Sequence, residues 1–200
     1  MGTPGTLRDN RAFSFVEVLV SCAVICAVLA VAVPQVLGFQ EGSRAAAAAR
    51  YVAGRLQLAR MEALKRSAHV AVGFAQVGDE LEFAMYVDGN GNGVRTAEIA
   101  SRTDPIVSAP ERVGHAVPGA QFAIVAGTPS IDDTGPLTGT DPIRVGRSNL
   151  VSFSPLGSAT PGTIYLCGPD RRQWAIRITG ATGRVRVYAF EPAGQAWQAR

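Results

Sequence analysis

Residues 11 to 39 read RAFSFVEVLVSCAVICAVLAVAVPQVLGF, an apolar run with one acid near its front. Nothing charged lies between Glu17 and Glu41. A helix needs roughly 20 apolar residues to cross a bilayer, and residues 18 to 40 supply them. Arg8 and Arg11 precede the run. The positive-inside tendency then keeps the short N-terminus in the cytoplasm and sends the bulk of the chain outside the inner membrane. Ser14 suits an N-cap or early-turn position, and Pro34 marks a kink or weak point in the same helix.

Two plain readings fit most of this run. One is a cleaved signal peptide, with a basic start and Ala30-Val31-Ala32 as an A-x-A site. The other is a simple signal anchor. Neither uses Glu17. An acid near the bilayer centre costs about 2.5–3.5 kcal/mol on insertion scales, so a retained acid implies a partner that neutralises it. A cut between Ala12 and Phe13 would place a new α-amino group one helical turn before Glu17. A neighbouring copy, shifted along a helical bundle, would then set its Phe13 amine against this Glu17. Buried charge pairs are weak sources of stability, but they can fix register between helices.

The stretch AFSFVEVLV, with Glu17 fifth after that cut and Pro34 further along, resembles the class III signal of type IV pilins and type II secretion pseudopilins. The resemblance implies a leader over residues 1–12, cleavage between Ala12 and Phe13 by a prepilin peptidase, and N-methylation of Phe13. It also implies that Glu17 and Pro34 serve assembly. The family usually has Gly before the cut. Here the small residue is Ala12.

Beyond the run, EGSRAAAAARYVAGRLQLARMEALKR (41–66) is rich in strong helix formers. Val52, Leu56, Ala59 and Ala63 share one stripe, with Arg50, Gln57 and Lys65 opposite. Glu62 and Arg66 are spaced as an i,i+4 pair. The pattern predicts one helix from about Ser14 to about Lys65, its first half in lipid or a filament core. Residues 13–40 are then the transmembrane and assembly helix, and 41–66 its amphipathic continuation.

From His69 the period changes to two. Leu81, Phe83, Met85 and Val87 alternate with Glu82, Ala84, Tyr86 and Asp88. Further strands are expected at 69–75, 120–126, 150–154, 162–167, 174–179 and 184–190, with residues 127 to 142 an exposed loop. The fold class is α+β: a long N-terminal helix on an antiparallel β-sheet domain spanning 67–200. LARMEALKR, YVDGNGNG, FSPLGSATPGTIYL and GRVRVY resemble successive stretches of the GspH/FimT group of minor pseudopilins. That resemblance implies a pilin-like fold. It implies other pilins or pseudopilins, an inner-membrane assembly platform and membrane lipid as partners. It places a single-pass protein in the inner membrane, with its C-terminal domain in the periplasm until assembly into a filament. A type II secretion pseudopilus is the first reading of that filament, and a type IV pilus is the other.

Three stretches bear on chemistry. In DGNGNG, Asp88, Asn90 and Asn92 occupy calcium-loop positions one, three and five, with Gly93 at six. Position twelve is Ile99, and Glu98 falls one place early. Asn-Gly also makes tight hairpin turns between strands, and that plain turn is the expectation, with no metal or cofactor. In QWAIRITGATGRVRVY, a turn centred on Ala181 and Thr182 pairs Thr179 with Arg184 and Arg177 with Arg186. Ile178 then meets Val185, and Ile176 meets Val187, which puts Arg177, Arg184 and Arg186 on one face. Arg171 and Arg172 precede the first strand, and Tyr188 lies nearby. The patch is either a solvated face or a grip on phosphates. The resemblance of Gly183-Arg184-Val185-Arg186 to a stretch of FimT-like proteins linked to DNA uptake implies DNA as an alternative partner.

No enzyme is expected. His69 and His115 are the only histidines and lack metal-ligand spacing, and no nucleophile motif or phosphate loop is present. Asp132-Asp133 reads as a solvated acidic pair. Cys22 and Cys26 sit in the apolar run and Cys167 far downstream, which gives no disulfide framework and suggests a buried thiol at Cys167. The net charge of +3 permits an anionic partner without requiring one.

Overall fold

Helix-forming side chains and the absence of Pro between Pro34 and Arg66 carry one helix, α1, over Phe15–Arg66. The computed structural model describes residues 14–132 and 137–200, and within α1 the side chains of 31–43 lie outside the described residues. Contacts divide the chain into Met1–Gln40 and Glu41–Arg200. In the first unit, the side chains from Phe15 to Ala30 are exposed, among them Val16, Leu19, Val24 and Leu29. Among the described residues, no helix is long and apolar enough to cross a membrane.

The second unit opens with the amphipathic part of α1. Val52, Leu56, Ala59 and Ala63 are fully buried, and Arg50, Gln57 and Lys65 are exposed, as the stripe predicts. Arg66 meets Glu62 at 2.7 Å. Ala45, Ala48 and Ala49 extend the buried face with small side chains, which let neighbouring strands approach the helix closely.

The strands form two antiparallel sheets rather than the one expected. β1 (Val70–Val77), β2 (Glu80–Val87), the two-residue β3 (Glu111–Arg112) and β5 (Leu150–Phe153) make a four-stranded sheet in the order β3-β2-β1-β5. β4 (Ile143–Val145), β6 (Gly162–Cys167), β7 (Gln173–Thr179), β8 (Arg184–Glu191) and β9 (Ala196–Ala199) make the second, in the order β4-β6-β7-β8-β9. Short helices α2 (Thr96–Ala100) and α3 (Val113–Ala116) complete the unit. One core joins α1 to both sheets: Leu56 and Val52 with Val70, Val72 and Phe83 from one, and Ile164, Ile176 and Ile178 from the other. Burying a side chain such as Leu56 contributes about 1.5–3 kcal/mol.

Residues 120–126 are not a strand. Gln121 and Cys167 form an isolated bridge, exchanging backbone hydrogen bonds of 3.0 and 2.9 Å. Beyond that bridge a side chain supplies partners that a ladder would otherwise give. Gln173, 2% exposed, donates to the carbonyls of Ala123 at 3.0 Å and Leu166 at 2.8 Å and accepts from the Val125 amide at 2.5 Å. Buried backbone groups require such partners, and a buried amide can serve as well as a strand.

Candidate functional site

Glu17 lies in the first turn of α1. The Ser14 carbonyl accepts the Glu17 amide at 3.0 Å and the Val18 amide at 3.2 Å, so Ser14 opens the helix through its backbone. Glu17 is exposed and no side-chain partner for its carboxylate occurs among the described residues, while Phe15, Val16, Val18 and Leu19 around it are exposed apolar groups. The helix thus presents one acid on an apolar surface. Ala12 and Phe13 lie outside the described residues, as does the Pro34 side chain.

The β7–β8 hairpin has the expected register: Thr179 opposite Arg184, Ile178 opposite Val185, Arg177 opposite Arg186 and Ile176 opposite Val187. The apolar members face α1, and Arg177, Arg184 and Arg186 are exposed on the outer face. Gly183 ends the turn at φ +58°, where a side chain would be strained. A Cβ there would also come within 2.5 Å of the Gly157 carbonyl oxygen. The turn before Arg184 therefore rests against the Ser154–Ser158 loop.

A groove of about 380 Å³ runs along this outer face, lined by Pro161, Arg177, Thr179, Arg186 and Tyr188. Arg184 and Arg186 have no acidic partner among the described residues. Arg177 does: Asp132 lies 3.1 Å from its guanidinium and also accepts the Thr163 hydroxyl at 2.5 Å. Asp132 is thus exposed, as expected, and also a counter-ion to Arg177, and no local signal in the sequence announces a contact between a loop and a strand so far apart. Asp133 lies outside the described residues. Arg171 and Arg172 sit at the opposite end of β7 from the turn, so they do not extend this patch. Arg172 instead joins Arg50 and Arg200 around a separate pocket beside Trp174.

DGNGNG is a closed loop but not a hairpin, because α2 follows it. Asp88, 8% exposed, accepts backbone amides from Asn90 at 3.1 Å, Gly91 at 2.7 Å and Gly93 at 2.7 Å. Asp104 accepts from Gly89 and Arg95 at 3.1 and 2.9 Å, and Glu98 accepts the side-chain amides of Asn90 and Asn92. The oxygens a cation would need are largely taken by protein donors. Among the described residues, no cluster of three His, Cys, Asp or Glu groups could hold a metal. Cys167 is buried beside Gln121, and burial pushes its thiol up, the state of an inert core residue.

A family model described as type II transport protein GspH matches residues 48–183, from within α1 to the turn before Arg184. No curated protein and no solved structure matches the chain.

Burial works to raise the Asp88 carboxyl, but the backbone amides of Gly93, Gly91, Asn90 and Asn92 together hold it below the usual carboxylate range. A depressed folded-state value gives stability above the unfolded value, near 3.9, that is lost as pH falls through the folded one. Asp88→Asn should lower stability at neutral pH, with the deficit to wild type shrinking as pH falls below about 4. Urea unfolding across that window measures it, and a deficit constant with pH would contradict the assignment.

Proposed function

Because the chain belongs to the GspH family of type II transport proteins, a family of structural and non-enzymatic pseudopilins, we propose that it is a minor pseudopilin assembled into a type II secretion pseudopilus through its N-terminal helix. The leader 1–12 is removed between Ala12 and Phe13 by a prepilin peptidase, and Phe13 is N-methylated. Before assembly, the apolar helix 13–40 anchors the protein in the inner membrane with 67–200 in the periplasm. The inner-membrane platform then extracts it into the filament. Glu17 pairs with the Phe13 amine of the neighbouring pseudopilin, and Pro34 adapts the helix to the bundle.

The observation that supports this most is the lone Glu17 carboxylate among exposed Phe15, Val16, Val18 and Leu19. An acid on an apolar face is costly wherever that face is buried, unless a cation arrives with the partner. Mass spectrometry of the mature N-terminus should find methylated Phe13. A start at Met1 or Val33 would reject the processing and the assembly chemistry that depends on it.

A second reading, a DNA-binding minor pilin acting in DNA uptake, is favoured by one feature: among the described residues Arg184 and Arg186 have no acidic partner, and Arg186 lines a groove with Tyr188. Each phosphate contact contributes close to one unit to the slope of log affinity against log salt. Arg184→Ala/Arg186→Ala should then reduce that slope by about two in a gel shift. Arg177→Ala should matter less, since Asp132 already neutralises it. No retardation at low salt removes this reading and leaves the first intact.

A further inference from the structure

We propose that the pocket formed by Arg50, Arg172 and Arg200 beside Trp174 binds the phosphate of an anionic phospholipid headgroup at the membrane that holds the preceding apolar helix. The proposal rests on the membrane-anchored state described above.

The pocket has a volume of about 260 Å³ and lies within the unit Glu41–Arg200. Three arginines line it from three separate elements: α1, the loop before β7, and the residue after β9. Glu191 is the one acid in the lining. Arg172 is only loosely engaged, 3.3 Å from Asp170 and 69% exposed at its side chain. Arg50 and Arg200 have no acidic partner among the described residues. Trp174, 8% exposed and part of the hydrophobic core, contributes a fixed apolar wall. Counting side chains, three arginines against Glu191 and the Asp170 beside Arg172 leave the site a net charge of +1, and arginine is the side chain best matched to phosphate oxygens.

Position in the chain selects lipid over other phosphates. Arg50 closely follows the apolar run that ends near Gln40. The loop carrying Arg172 packs against the start of the same helical stretch, where Gly168 abuts Ala45. The β7–β8 turn packs instead against Arg60. At 1.5 Å per residue, those two contacts lie about 22 Å apart along α1. The pocket therefore belongs to the end by which the chain enters this unit, and the Arg184–Arg186 face reaches towards the other. Basic side chains close to a membrane anchor meet anionic headgroups at high local concentration, and each gains about fivefold in affinity from the surface charge.

The test places the full-length chain in lipid nanodiscs containing phosphatidylglycerol or phosphatidylcholine alone, with amide exchange as the readout. Exchange at residues 170–174 and 196–200 should be slowed about fivefold or more in phosphatidylglycerol discs. Arg50→Gln/Arg200→Gln should abolish that difference while leaving exchange in β1 and β2 unchanged. Equal exchange in the two discs overturns the headgroup site. Protection in phosphatidylcholine discs on adding inorganic phosphate would show a site for free anions and overturn the lipid assignment. Failure of the chain to insert into either disc refutes the anchored state itself, an outcome distinct from both.

Discussion

The fold hangs on one helical face. Ala45, Ala48, Ala49, Val52, Leu56, Ala59 and Ala63 form a stripe that must satisfy two sheets at once. Small residues at the start of the stripe and larger ones in its middle set how closely each sheet can approach. Residues of both sheets share one core with it, so α1 is the common wall of that core. A change that widened this face would strain both sheets, because packed interiors have little free volume to absorb it.

That arrangement leaves polar chemistry at the edges of the second sheet. Its outer face carries Arg184 and Arg186, free of acids among the described residues, and Arg177 held by Asp132. The edge nearest the start of the stripe gathers Arg50, Arg172 and Arg200. Two basic surfaces therefore arise from one sheet, separated by the length of β7. Grouping them by sequence alone merges them, since Arg172 and Arg177 are close in the chain but sit at different ends of one strand.

Much of this is legible in the sequence. The buried stripe of α1 follows from 3.6-residue periodicity, and strict alternation fixes β2. The β7–β8 register follows from requiring its apolar residues on one face, because a one-residue slip would turn Arg177 and Arg186 into the core. What stayed hidden depends on distant contacts. The short strands β3, β4 and β9 carry too few residues for a periodic signal. Residues 120–126 have the composition of a strand, yet a buried Gln173 side chain replaces the ladder. DGNGNG looks like a hairpin turn, but Asp88 and Asp104 gather its amides and hand the chain to α2. Glu17 was legible for the opposite reason: an acid within an apolar run needs no tertiary context to stand out.

The proposed assembly turns on that acid. In a packed filament, its charge is tolerated only if the amine of the next subunit arrives with it. Breaking one side of a buried ion pair costs about 3–5 kcal/mol, more than a hundredfold in a binding equilibrium. The direct measurement is the fraction of processed Glu17→Gln protein recovered in sheared filaments, in cells that make the other subunits, relative to wild type. The account predicts that this variant is cleaved normally but nearly absent from the filament. Incorporation at the wild-type level would show that the carboxylate does not guide assembly.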